Sequence, residues 1–327
     1  MFKITLLSLS ALLVLLTGCT GGTGHKSNEK YFLVAANTKV SYWQAAAAGL
    51  ARAARQLDVQ AQMVGPDSYD PQAEQAAFRD ALARNPAGIL VSAADPNLLK
   101  GDIDKAISQG VPVITIDSDT PDSKRLTFIG TRNREAGIMG ARRAVKELNG
   151  KGSVVIYTMP GQANLNERLN GYKDIFADNP GVKIVEIVDI KGSPAIAFDT
   201  TSDIIDKGKL TPDGFICLEA IACKEVADVL DRKKVNGKVI IAMDTDQGVL
   251  DWIKKGMIQA TIAQKPFTMA YYGVKMLGDL HLNPLKPLDL DWSHDTTSPV
   301  PMFVDTGATL IDKSNVDAFL TSRDAAK

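Results

Sequence analysis

The chain has 327 residues, with 37 basic against 38 acidic side chains and a formal net charge of −1. That length suits two lobes of ordinary size, and evenly mixed charge without a basic face argues against a nucleic-acid partner. The three histidines, His25, His281 and His294, have neither metal-ligand spacing nor a nucleophile beside them, so no metal, cofactor or catalytic residue is expected.

Residues 1–19 read as a targeting segment. Lys3 supplies the positive charge, residues 4–16 are apolar except for Thr5, Ser8 and Ser10, and the run closes on Leu16-Thr17-Gly18-Cys19. Such a run is too short to span a membrane as a helix. Its ending looks like a bacterial lipobox, which makes Cys19 the expected lipidated N-terminus of an exported chain. Acyl chains contribute about 0.8 kcal/mol per buried CH₂, enough to hold the protein on a membrane of the cell envelope. Residues 20–30 carry glycine, serine and charge without an apolar cluster, the composition of a flexible tether.

From residue 31 onward, short apolar runs alternate with segments of helical period. In the first half, strands are predicted over 31–37, 59–64, 88–93, 111–117 and 126–131. Helices are predicted over 42–57, 71–84 and 97–109. The second half repeats the scheme, with helices over 135–148, 166–177, 195–207, 223–233 and 248–256. Its strands are predicted over 153–159, 183–188, 214–220, 238–244 and 260–264. A helix over 267–280, an extended tail over 300–311 and a short helix over 315–320 complete the chain. This alternation produces parallel sheets covered by helices. No Pro/Gly/Ser linker divides the halves, which predicts an α/β molecule of two doubly wound lobes joined by several crossings and able to hinge.

Open parallel sheets bind ligands beyond the carboxyl ends of their strands. The residues predicted there are Asn37, Tyr42, Trp43, Ser92, Asp95, Asp117, Asp119, Glu219, Asp244 and Gln264. Carboxylates and amides of this kind hydrogen-bond the hydroxyls of a sugar, and aromatic faces cover its C–H patches. Each residue type also has a structural use. Tyr42 and Trp43 suit either a ligand platform or the core beneath the first helix. Asp117 and Asp244 suit either a ligand or a helix cap, Asp119 looks more like a turn or cap, and Gln264 suits either a ligand or a solvated strand end. Cys217 and Cys223 can pair in an oxidising compartment, though spacing alone does not decide it.

Enzyme signatures fail. Asn37-Thr38-Lys39-Val40-Ser41 stands after the first strand in place of Gly-x-Gly-x-x-Gly, and no Walker sequence occurs. A carboxylate pair such as Asp117 and Asp244 is the raw material of a glycosidase couple, but nothing in the sequence fixes its separation, and a hydrolase built on the same lobes stands as the weaker alternative.

Four stretches carry a resemblance: IDSDTPDSKRLTFIGTRN (116–133), NLNERLNGYKD (164–174), IQATIAQKPF (258–267) and VDTGATLIDKSNVD (304–317). In order and spacing the chain resembles the periplasmic sugar-binding proteins of the ribose/galactose type, type I periplasmic binding proteins, most closely their Thermotoga glucose-binding branch. The resemblance covers nearly the whole mature chain. It implies a monomer with a three-segment hinge near 131–134, 264–266 and the stretch after Leu290. The first lobe would then be 31–132 plus 265–292, and the second 133–264 plus 293–327. It further implies a monosaccharide in the cleft and, as partners, an ABC permease with its ATPase. The family's aromatic pair falls on Tyr42 and Trp43, its acids on Asp117 and Asp244, and its hinge glutamine on Gln264. The polar position opening the second-lobe helix falls on Asn166, followed by Arg168. Ser118 and Asn166 replace arginines of many relatives, and Glu219 replaces an amide of ribose binders. The resemblance therefore implies altered hydroxyl contacts, with a glucose-like hexose, a pentose or a polyol as ligand. Presentation of a signalling sugar to a chemotaxis or kinase receptor is the alternative use of the same clamp.

Overall fold

The computed structural model describes residues 24–325, so Cys19 and the targeting segment lie outside the described residues. The first lobe is built from β1 (Lys30–Val34), α1 (Ser41–Leu57), β2 (Gln60–Val64), α2 (Pro71–Ala83), β3 (Gly88–Val91), α3 (Pro96–Ser108), β4 (Val113–Ile116) and β5 (Phe128–Gly130). The second follows with α4 (Asn133–Glu147), β6 (Gly152–Thr158), α5 (Ala163–Asp178), β7 (Val182–Asp189), α6 (Pro194–Lys207), β8 (Gly214–Cys217), α7 (Ala222–Arg232), β9 (Val239–Met243), α8 (Gln247–Lys255) and β10 (Ala260–Ala263). Then come α9 (Pro266–Leu282), β11 (Phe303–Asp305), β12 (Thr309–Asp312) and α10 (Val316–Ala325).

The strands make two six-stranded sheets, ordered β11-β5-β4-β3-β1-β2 and β12-β10-β9-β8-β6-β7. Among the described strands only β12 runs antiparallel to its neighbour. Strands such as β3 (GILV) and β4 (VITI) are buried along their whole length, as a parallel sheet covered on both faces requires. Helix starts are fixed by side-chain caps: Asp70 accepts from the Ala73 N–H, Asp95 from Asn97 and Asp246 from Gly248. Pro71 and Pro96 occupy first turns, where a missing N–H costs nothing.

Each lobe has its own core. Phe32, Leu33, Phe78, Ile89 and Ile103 centre the first, together with Val274 and Leu277 of α9. The second is packed on both faces of its sheet, around Tyr157, Phe215 and Ile240 on one side and Ile156, Leu165 and Ile241 on the other. Helix α9 therefore returns to the first lobe, and Gly49 of α1 admits it so closely that a Cβ there would lie 2.1 Å from the Phe267 carbonyl oxygen.

The chain passes between sheets after β5, after β10 and between β11 and β12. The third crossing lies later than the sequence suggested. Residues 293–327 were expected in the second lobe, but Phe303–Asp305 pairs in parallel with β5 of the first. The cause is local: Phe303 stacks on Phe128 with centroids 5.2 Å apart, and both Thr306 N–H and its hydroxyl donate to the Gly130 carbonyl. The N-terminal segment also departs from a free tether. Glu29 is buried and accepts from His25 Nδ1 at 2.8 Å, the Lys26 N–H at 2.6 Å and the Tyr31 hydroxyl at 3.0 Å. The docked part thus begins at His25. Cys217 and Cys223 form a disulfide with Cα atoms 5.7 Å apart, and β8 ends at Cys217 instead of running on to residue 220. No described helix is long and apolar enough to cross a membrane.

Candidate functional site

In each lobe the strand order reverses beside the first strand of that lobe, and the carboxyl ends of both sheets face one cleft. The cleft holds a cavity of about 80 Å³.

Two carboxylates face each other across it from equivalent positions. Asp117 follows β4 and Asp244 follows β9, with φ of 62° and 66°. Each N–H reaches the next strand's carbonyl, Ile129 at 3.2 Å and Ile262 at 2.8 Å. A left-handed conformation is unfavourable for a residue with a side chain, by roughly 1–2 kcal/mol. At both positions it turns a side chain from the strand end into the cavity.

Asp117 is fully engaged. Tyr42 donates its hydroxyl to Oδ1 at 2.7 Å, and Ser92 Oγ at 3.3 Å and Asn164 Nδ2 at 3.2 Å donate to Oδ2. The Asn164 bond joins the lobes. Burial pushes the Asp117 carboxyl up, with Arg168 and the three donors opposing it. Asp244 accepts from Gln264 Nε2 at 3.0 Å; burial, with the neighbouring Asp117 charge, lifts it to about 6 against the pull of Arg168 and Gln264. Glu219 accepts the Ile221 and Ala222 N–H groups at 2.6 and 3.0 Å, capping α7, yet burial raises it to about 7. Burial likewise holds the Tyr42 phenol well above its ordinary range.

Among the described residues, Arg168 is the single basic side chain lining the cavity. It is fixed by Nε to Asn133 Oδ1 at 2.9 Å, Nη1 to the Leu218 carbonyl at 2.7 Å and Nη2 to Gln264 Oε1 at 2.8 Å. Trp43 lines the wall from the first turn of α1 with its ring edge-on to Tyr42, 5.2 Å between centroids. Both rings are also part of the first-lobe core. The site offers acceptors for hydroxyls, a fixed guanidinium fork and an apolar wall, the set of groups a sugar ring needs.

Tyr42, Trp43, Asp117, Arg168, Glu219, Asp244 and Gln264 all line this cavity, as does Asn37. Five expected residues do not: Ser92, which reaches the site only as a donor to Asp117, and Asp95, Ser118, Asp119 and Asn166. The left-handed Asp117 turns the next residue away, so Ser118 is buried behind the wall, where its carbonyl accepts the Ala93 N–H. Asn166 is exposed on the outer side of α5. Because α5 begins at Ala163, helical spacing points Asn164, Leu165 and Arg168 into the cavity and Asn166 away from it. Asp95 caps α3, and Asp119 is held by Arg125 at 2.6 Å outside the cleft. Asn164, Gln162, Tyr69 and Gly192 also line the cavity and were not foreseen as site residues; only the contact of two lobes brings them together.

Two sheets that each carry half of one buried polar cavity define a two-lobed binding protein, one that encloses a small solute between its halves. The periplasmic binding protein domain matches residues 31–282, and the chain belongs to that family. A sugar-binding protein of a sugar ABC transporter from Bacillus halodurans is 32% identical with a TM-score of 0.75, covering 89% of this chain and 100% of that one. An arabinose-binding protein of Geobacillus stearothermophilus is 31% identical with a TM-score of 0.71, covering 89% and 99%. The D-allose-binding periplasmic protein of Escherichia coli is 20% identical over 274 residues, covering 81% of this chain and 88% of its own length. These relatives are sugar-binding proteins rather than enzymes.

Proposed function

We propose that the chain is the substrate-binding component of an ABC-type sugar importer, closing on one pentose or hexose in the cleft. One observation carries the proposal: paired acids from equivalent positions of two lobes, Asp117 and Asp244, converge on one cavity beside Arg168 and Trp43. Sugar hydroxyls bridge groups of the two lobes, so the ligand is held fully only when the lobes close. To move closure from 1:99 to 99:1 the ligand must prefer the closed form by about 5.5 kcal/mol. A few charge-assisted hydrogen bonds of about 1.5–3 kcal/mol each supply that preference. The binding of arabinose by one relative and allose by another supports a monosaccharide. In this proposal the chain acts as a monomer, is exported and held to a membrane through lipid on Cys19, and delivers its sugar to a permease and ATPase.

A thermal-shift screen of the detergent-solubilised protein against pentoses, hexoses, sugar alcohols and disaccharides tests the ligand class. A sugar at one hundred times its Kd adds about 2.7 kcal/mol of stability, read as a raised Tm. Silence across all pentoses and hexoses overturns the proposal. Cys19→Ser is expected to move the protein out of the membrane fraction, and retention there overturns the lipid anchor.

A further inference from the structure

The lobes also meet at the rim of the cleft. The turn between β7 and α6 has both central residues left-handed, Lys191 at φ 50° and Gly192 at φ 69°, closed by the Ser193 N–H on the Ile190 carbonyl at 2.8 Å. That is the backbone of a tight primed turn, with little freedom to retreat. Its start is pinned as well, by Asp189 Oδ1 accepting the Lys191 N–H at 2.9 Å. Facing it from the first lobe is Tyr69, which lies before α2 and whose hydroxyl donates to the Ala94 carbonyl at 3.2 Å. A Cβ built on Gly192 would lie 2.2 Å from Tyr69 Cβ and 2.8 Å from Cγ. The nearer of the two, Cβ, is the root of the side chain and does not move with a rotamer change. Both residues line the cavity.

We propose that Tyr69 and Gly192 form a steric gate that closes the cleft over its ligand, with Gly192 as a specificity-determining residue that excludes any sugar carrying a second ring. This inference rests on the sugar-binding function proposed above and concerns its size limit. The gate shuts only because position 192 has no side chain, and a ligand that protrudes past the rim keeps it apart. A disaccharide therefore meets Tyr69 and Gly192 before the second-lobe acids can reach it.

The test is calorimetric titration of the wild-type protein and of Gly192→Ala, Gly192→Leu and Gly208→Ala with D-ribose, D-arabinose, D-allose, D-glucose and a disaccharide of glucose. Gly208 is the control for backbone strain: its φ is 60°, close to that of Gly192, but a Cβ there meets nothing within 4 Å. Wild type is expected to bind a monosaccharide and not the disaccharide, and Gly208→Ala to keep that affinity. Both Gly192 variants should lose affinity about tenfold or more, and to a similar degree, because the first added carbon already blocks closure. Their Tm without sugar should match that of Gly208→Ala. Affinity of Gly192→Ala within about twofold of Gly208→Ala overturns the gate and leaves the sugar-binding function standing. Wild type that binds the disaccharide as tightly as a monosaccharide overturns the size limit, and wild type that binds no monosaccharide overturns both.

Discussion

Asp244 and Glu219 show how one buried environment gives opposite pH trends for the empty and the loaded protein. Their carboxyls are lifted to about 6 and about 7 by burial. A raised folded-state value means that the stabilising contribution is complete below the unfolded value and is lost as pH rises through the folded one. The sugar-free chain should therefore lose stability between about pH 4 and 7, seen as a falling Tm. Sugar hydroxyls donate to the ionised carboxylate, so affinity should rise over the same range. One unit below its value only about a tenth of Asp244 is ionised, which sets the drop in affinity at pH 5 at up to about tenfold. Calorimetric titration at the two pH values checks this, and Asp244→Asn should flatten the profile. At Trp43 the expectation is simpler: Trp43→Ala should weaken binding by about 1–3 kcal/mol, read by titration with the fold intact by circular dichroism. The paired acids were legible in the sequence because each ends a β-branched run. Asn164 was not, since which residues of α5 face inward depends on where the helix starts, and that start lies three residues earlier than apolar spacing suggested.

Helices α4 and α5 place two of the cavity's side chains through a contact that only glycine permits. A Cβ on Gly137 would sit 2.1 Å from the Arg168 carbonyl oxygen, and one on Gly171 would sit 2.2 Å from that of Arg134. The two backbones thus lie against each other, and α5 carries Asn164 and Arg168 at the depth where they reach Asp117 and Gln264. Gly137→Ala must push the helices apart, so it should cost about 1–3 kcal/mol of stability and weaken sugar binding as well. Gly101 in α3 is the contrast, because its Cβ meets nothing within 4 Å. Gly101→Ala should raise stability by about 0.5–1 kcal/mol and leave affinity unchanged. Denaturant unfolding paired with titration separates the two. Periodicity located these helices to within a few residues but carried no information on how closely they approach. The same limit explains β11: three residues in a tail of mixed polarity say nothing about which sheet they join until Phe303 is found on Phe128. Pairing of Cys217 with Cys223 is a further case, since the staple bridges the turn that presents Glu219, Ala220 and Ile221 to the cleft.

At the scale of the whole molecule, the separate cores and the three crossings allow the lobes to move as rigid bodies, and closure is decided by the bonds between them. Besides Asn164 with Asp117, the lobes are joined by Ser41 Oγ donating to Asp246 Oδ2 at 3.0 Å. Ser41 does not line the sugar cavity. Asp246 keeps its capping bond to the Gly248 N–H through its other oxygen whatever stands at position 41. The Ser41 bond therefore reports on closure without touching the ligand or the cap. A hydrogen bond at an exposed site of this kind contributes about 0.5–1 kcal/mol. Ser41→Ala should accordingly weaken sugar binding two- to fivefold or so, mainly through faster release, while the Tm without sugar stays unchanged. Small-angle scattering should still show the variant becoming more compact with sugar, at a proportionally higher concentration. Full affinity in Ser41→Ala would mean that the lobes close without help from this bond, leaving the cost of closure to be met by the sugar, the rim and the Asn164–Asp117 bond.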